Sequence, residues 1–139
     1  VDERVRFVKA RVEGELGNPE GRQALRDAQI VFLDPPRKGS DEATLAALAA
    51  ADVVFLDPPR KGSDDATLAA IVKARVAHVW YLSCNPATLA RDLARLVAGG
   101  YRLGAVQPFD MFPQTGHIEA LASLHRADVA PLSFKVEEE

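Results

Sequence analysis

Three side chains in this sequence have the types and settings that do chemistry. Cys84, the lone cysteine, stands in Ser83-Cys84-Asn85-Pro86. Asn85 is a good helix N-cap and Pro86 a good first helical residue, so the thiol falls just ahead of a helix N-terminus. Unpaired amide hydrogens and the helix dipole favour an anion there, and a thiolate is the form that attacks carbon. A packed, unreactive cysteine is the competing reading. Glu119, in Thr115-Gly-His-Ile-Glu119, offers a carboxylate base 35 residues further on, so only the fold could bring the two together. His117 and Glu119 alternate with Ile118 and should face one side of a strand. The competing reading of Glu119 is plain surface charge. The third group is Asp57, in Asp57-Pro-Pro-Arg60. Two successive prolines fix two φ angles and remove two donors, giving a stiff elbow that projects a carboxylate, or else only a rigid strand-to-helix turn. His78, His117 and His125 lack zinc-ligand spacing, so no metal is expected.

These groups need a scaffold, and the sequence supplies one. Apolar runs of a few residues alternate with helical patterns, the rhythm of an α/β domain with a mainly parallel sheet. Strands are expected at Val5–Val8, Gln29–Leu33, Asp52–Leu56, His78–Ser83, Tyr101–Val106 and Ile118–Leu124. Helices are expected at Glu42–Ala50, capped by Ser40 or Asp41, and at Asp65–Val72, capped by Ser63 or Asp64. A third starts at Pro86, carries Leu89, Leu93, Leu96 and Val97 at helical spacing, and stops at Gly99-Gly100. The polar segment from Gly14 to Arg26 reads as a loop with a short helix at most. The proline-containing stretch Gln107–Gly116 suits an antiparallel final hairpin. In an open α/β sheet, ligands sit outside the carboxyl ends of the strands, where the Asp57, Cys84 and Glu119 motifs all fall.

Composition narrows the class. The 139 residues, 47% hydrophobic and 27% charged, suit one soluble globular domain. A net charge of −3 argues against a broad nucleic-acid surface, although Arg37, Lys38, Arg60, Lys61, Lys73 and Arg75 leave room for a local basic rim. No apolar run is long enough to span a bilayer, and the charged start, VDERVRF, is unlike a secretory signal; the expected compartment is the cytoplasm. One cysteine excludes an internal disulfide or a cysteine-built metal cluster.

The chain also repeats itself. Val31–Leu48 and Val54–Ile71 agree at 16 of 18 positions, differing only at Glu42/Asp65 and Leu48/Ile71, with Asp34 and Asp57 offset by 23 residues. The repeat looks like a tandem duplication of one strand–turn–helix unit. Either the two units pair side by side, which is tight for 23 residues, or they compete for one slot and the loser is extruded. The second copy, which abuts the cysteine turn, is expected to be the working one.

Taken together, Asp57-Pro-Pro-Arg-Lys-Gly62, Tyr81-Leu-Ser-Cys-Asn-Pro-Ala-Thr88 and Phe109-Asp-Met-Phe-Pro-Gln-Thr-Gly-His-Ile-Glu119 resemble the signature set of the RNA (uracil-5-)-methyltransferases. These enzymes make 5-methyluridine in transfer and ribosomal RNA with S-adenosylmethionine, and the closer likeness is to the bacterial 23S ribosomal RNA branch. The resemblance runs from Val5 to about Arg126. It implies the C-terminal half of a Rossmann-like, S-adenosylmethionine-dependent methyltransferase domain, a mainly parallel sheet with an antiparallel final strand. It implies that Cys84 adds to carbon 6 of uracil and that Glu119 takes the carbon 5 proton. Asp57, or Asp34 in the first copy, would line the pocket shared by methyl donor and base. Asn85 and Pro86 would shape the cysteine turn, and His117 and Phe112 would support it. The target base must leave its stack. The implied partner is RNA, ribosomal rather than transfer, with no membrane and no metal.

The likeness has gaps. Residues 1–30 hold no glycine-rich turn followed by an acidic residue, nor the glutamine that the family places ahead of it. No RNA-binding barrel or iron–sulfur cysteines are present either. About half the donor site is therefore expected to be missing, which keeps two other readings open. One is a non-catalytic or complementing remnant of such an enzyme. The other is a nucleic-acid amino-methyltransferase, which also uses an Asp-Pro-Pro turn but needs no cysteine.

Overall fold

The computed structural model describes residues 30–33, 48 and 51–132. Five strands and two helices follow one another as β1 (Ile30–Leu33), β2 (Val53–Leu56), α1 (Asp65–Ala74), β3 (His78–Ser83), α2 (Pro86–Ala98), β4 (Tyr101–Phe109) and β5 (Glu119–Arg126). The sheet order is β1-β2-β3-β5-β4. β1, β2 and β3 run parallel, and β5 lies antiparallel between β3 and β4. The expected final hairpin is therefore present, with a bulge in β4 between Leu103 and Val106. The architecture is an α/β sheet, mostly parallel on the side of the repeats. The strand expected at Val5–Val8, the segment Gly14–Arg26 and most of the helix expected at Glu42–Ala50 lie outside the described residues. Leu48 alone of that helix is described, helical and fully buried.

Local chemistry sets the helix ends. Asp64 caps α1 from extended backbone: Oδ1 accepts from the Thr67 amide at 2.9 Å and Oδ2 from the Thr67 hydroxyl at 2.6 Å. Burial alone would raise this carboxyl, but the Thr67 hydrogen bonds hold it below its ordinary 3.8. Asn85 caps α2 in the same manner, with Oδ1 accepting from the Ala87 amide at 3.1 Å and Pro86 as the first helical residue. After α2, Gly100 turns the chain at φ 100°, a conformation that L side chains rarely adopt.

The core lies on one face of the sheet. Val31, Leu33, Val54, Leu56, Val79, Tyr81, Ala120, Ala122 and Leu124 alternate inward from the strands. Leu68 and Ile71 of α1, and Leu89, Leu93 and Leu96 of α2, close over them. Tyr101 is buried among them and its hydroxyl donates to the Val76 carbonyl at 2.7 Å. The other face carries an aromatic row. Phe32 stacks on Phe55 with centroids 4.6 Å apart, and Phe55 meets Trp80 edge-on at 6.4 Å.

The repeat does not compete for one slot. Ile30, Val31, Phe32 and Leu33 pair in parallel with Val53, Val54, Phe55 and Leu56, so the repeat offset of 23 residues is also the ladder register. Extrusion of one copy is thus not what the chain does. Two equal strands share one alternation, so both place their inward valines and leucines in the same core. Residues 34–52 suffice for the crossover that a parallel pair requires.

Two outcomes follow. Val54 is fully buried in an inner strand and Val31 is 7% exposed in the described edge strand. Val54→Ala should cost about 2 kcal/mol in chemical denaturation and Val31→Ala clearly less. The second concerns His78, which faces His125 across β3–β5, with Asp52 nearby and Arg102 the next partner of His125. Burial and then His125 depress His78 below 6.5, against the pull of Asp52. The unfolded chain therefore takes up this proton more readily than the folded one. Stability should fall as pH drops below about 6.5, and His78→Gln should flatten that slope between pH 7.5 and 5.5.

Candidate functional site

The β3–β5 ladder decides which groups meet. Its last pair is Ser83 opposite Ala120. One step further along the same antiparallel register sets Cys84 opposite Glu119. On its other side Glu119 pairs with Phe109 of β4. The parallel ladder places Leu56 opposite Tyr81, so the next step sets Asp57 beside Leu82, two residues before Cys84. Cys84, Glu119 and Asp57 are each half-buried. Extending each strand's alternation by one residue turns all three toward the face of Phe55, Trp80, Leu82 and Leu121, away from α1 and α2. The fold thus joins the three groups singled out in the sequence at one end of the sheet. Asp34 lies outside the described residues; its strand, β1, is separated from β3 by β2.

Each position is held locally. The amide of Asp57 donates to the Leu33 carbonyl at 2.9 Å, extending the β1–β2 ladder by one step. Pro58 is buried behind it. The elbow then closes as a turn, with the Gly62 amide donating to the Pro59 carbonyl at 2.7 Å and Gly62 at φ 85°. A Cβ at Gly62 would run into Arg91 and Asp92, so both the conformation and the space require glycine. Around Cys84, the Ser83 hydroxyl accepts from the Asn85 amide at 3.1 Å and lies 3.1 Å from the Asn85 carbonyl. The cysteine backbone is therefore bracketed from both sides. Directly after it, α2 presents its first amides, as the N-cap and Pro86 imply.

The β4–β5 connection differs from expectation. β5 begins at Glu119, so His117 sits before the strand. The loop instead turns on itself: the Thr115 amide and hydroxyl both donate to the Phe112 carbonyl, at 3.1 and 2.7 Å, and Gln114 adopts φ 69°. Phe112 supports the turn through its carbonyl while its ring is exposed. Met111, Phe112 and Ile118 of this connection are 61%, 53% and 46% exposed. Among the described residues no three of His, Cys, Asp and Glu converge as metal ligands; His78 and His125 are cross-strand partners and His117 lies in the loop.

Sequence reasoning assigned no role to Tyr81, Arg91 or Asp92. Asp92 is fully buried on the same stripe of α2 as Leu89, Leu93 and Leu96. A carboxylate inside an apolar helical stripe was the available signal.

Comparison with known proteins gives the frame. The family model described as tRNA (Uracil-5-)-methyltransferase matches residues 47–127. An uncharacterized RNA methyltransferase of Gloeobacter violaceus is 53% identical over 125 residues, 90% of this chain and 21% of that protein. One of Thermosynechococcus vestitus is 57% identical over 119 residues, 85% of this chain and 20% of that protein. The chain thus spans about a fifth of the length of these curated relatives. The crystal structure of Pyrococcus abyssi tRNA (uracil-54, C5)-methyltransferase in complex with S-adenosyl-L-homocysteine is 38% identical, with a TM-score of 0.49 over 52% of this chain and 18% of that one. With the family model covering more than half of its residues, the Cys84–Glu119 end of the sheet included, this chain belongs to the tRNA (uracil-5-)-methyltransferase family.

Proposed function

We propose that this chain supplies the nucleophile and the base for S-adenosylmethionine-dependent methylation of carbon 5 of a uridine in RNA. What supports the reading is the β3–β5 register, whose last pair, Ser83 and Ala120, lies one step from Cys84 and Glu119 at the open end of the sheet. Carbon 5 of uracil is a weak nucleophile. Addition of the Cys84 thiolate to carbon 6 forms the S–C6 bond and moves the C5–C6 π electrons into an enolate, which makes carbon 5 reactive. S-adenosylmethionine, when bound, supplies an electrophilic methyl group. Glu119 then takes the carbon 5 proton, the double bond re-forms and the S–C6 bond breaks, returning Cys84 as thiolate. Base and nucleophile must reach the same ring, which cross-strand neighbours do.

The donor's fit is partial. The half-buried carboxylate of Asp57, at the carboxyl end of β2, is a suitable polar wall for a pocket shared by donor and base. Gly62 adds no cradle, because Arg91 and Asp92 already occupy the space beside it. We assign Asp57 rather than Asp34 to the pocket, because β2 and not β1 borders β3. The substrate base must be unstacked, and the exposed Met111 and Phe112 side chains of the β4–β5 connection suit contact with a splayed single strand. Likeness to the ribosomal branch makes a ribosomal RNA fragment the first substrate to try, with a transfer RNA transcript for comparison. Cytoplasmic action on these RNAs is part of the proposal.

RNA carrying 5-fluorouridine tests the reading, because fluorine on carbon 5 cannot leave as a proton does. With the methyl donor present, a stable protein–RNA adduct should form and should vanish in Cys84→Ala. With ordinary uridine, Glu119→Gln should slow turnover by about 10²–10⁴-fold and accumulate the methylated adduct. Methyl transfer that survives Cys84→Ala would overturn the reading in favour of amino-methylation. No adduct with either RNA would overturn it outright.

A further inference from the structure

Helix α2 does more than end the cysteine turn. Four of its side chains, spaced along one face, hold consecutive backbone groups of the loop that follows Asp57. Asn85 Nδ2 donates to the Arg60 carbonyl at 3.3 Å, and the Thr88 hydroxyl lies 3.2 Å from the same oxygen. Arg91 Nη2 donates to the Lys61 carbonyl at 3.0 Å. Asp92 Oδ2 accepts from the Ser63 amide at 2.8 Å. These residues follow the three- and four-residue spacing of one helical face.

Asp92 is the centre of the arrangement. Besides Ser63, Oδ2 accepts from the Tyr81 hydroxyl at 2.5 Å, and Oδ1 accepts from Arg91 Nε at 2.8 Å. The Tyr81 oxygen in turn lies 3.1 Å from the Ser63 amide. Burial, then the Asp92 bond, keeps the Tyr81 phenol protonated far above its ordinary range, so it remains a donor at any working pH. One fully buried carboxylate therefore joins β3, α2 and the loop after β2. A buried carboxylate is retained only when its lone pairs are filled, and this one is filled from three elements.

We infer that Asp92 is a positioning residue: it locks the Arg60–Ser63 loop to the cysteine turn, so that Asp57 and Cys84 are carried by one rigid body. The inference deepens the methyltransferase reading and rests on it only for the purpose of the rigidity. Its test is independent of methyl transfer, because Cys84 is the only thiol in the chain. Asp92→Asn keeps the volume but removes an acceptor. Under conditions matched for global stability, it should speed hydrogen exchange at the Ser63 amide about tenfold or more. It should also make iodoacetamide alkylation of half-buried Cys84 severalfold faster, since Asn85 loses its fixed partner at Arg60. Tyr81→Phe, which removes one hydroxyl and spares the rest, should move both readouts in the same direction by less, and serves if Asp92→Asn does not fold. Leu124→Ala, a core truncation on β5, should lower stability and leave both unchanged. If the clamp variants behave as Leu124→Ala does, the inference is overturned. Failure of fluorouridine trapping alongside these shifts would remove the methyltransferase reading and leave the clamp standing.

Discussion

The site depends on strand register between β3 and β5. Side chains alternate along a strand with a period of two, so a slip of one residue would turn Glu119 toward α1 and α2 and Ala120 toward the cysteine face. Several contacts forbid that slip. Val79 pairs with Leu124 and Tyr81 with Ala122, all four buried on the helix side, while Trp80 pairs with Ser123 on the other. Moving them would put His125 and Ser123 into the apolar core and expose Leu124, costing several kcal/mol in burial alone. The positions of Cys84 and Glu119 are thus fixed by apolar residues well away from them. Nothing about a thiol or a carboxylate requires them to meet; the inward leucines and valines do.

The repeat acts on a different part of the sheet. Parallel strands of nearly the same sequence bring identical alternation, and in register they stack Val31 on Val54 and Phe32 on Phe55. Like residues side by side on both faces make a compatible ladder, which removes any need for one copy to give way. The helix-side packing is shared as well, with Leu48 and Ile71, one of the two differing pairs of the repeat, both fully buried in one cluster.

Much of this was legible in the sequence because the signals were local. Asn85-Pro86 fixed one end of α2 and Gly99-Gly100 the other, and six-residue β3 lies where its apolar run does. The pairing of Cys84 with Glu119 was legible only as a motif; its geometry comes from a ladder between segments far apart in sequence. His117 was misplaced because alternation was read across a residue that still belongs to the turn closed by Thr115. The fate of the repeat was not legible, since extrusion and pairing use the same residues and differ only in what the crossover permits. The clamp stayed hidden for another reason. Backbone amides such as that of Ser63 accept partners irrespective of side chain, so nothing in the loop sequence names Asp92.

Strand order separates the two halves of the chemistry. Cys84 and Glu119 sit at the ends of β3 and β5, and Asp57 at the end of β2, where its amide also donates to Leu33 of β1. The β3–β5 register and the Asp92 contacts involve no described residue of the first copy, whereas Asp57 is tied to it through Leu33. What the duplication changes is distance on the other side. Strands in a sheet lie about 4.8 Å apart, so any element joined to the outer edge of β1 stands one strand spacing further from Cys84 than it would beside β2. A methyl group must be delivered to carbon 5 at bonding distance, and a misplacement of even about 1 Å costs orders of magnitude in rate. On the proposed function, this strand order favours Asp57, at the end of β2 beside β3, over its twin as the carboxylate near the target base.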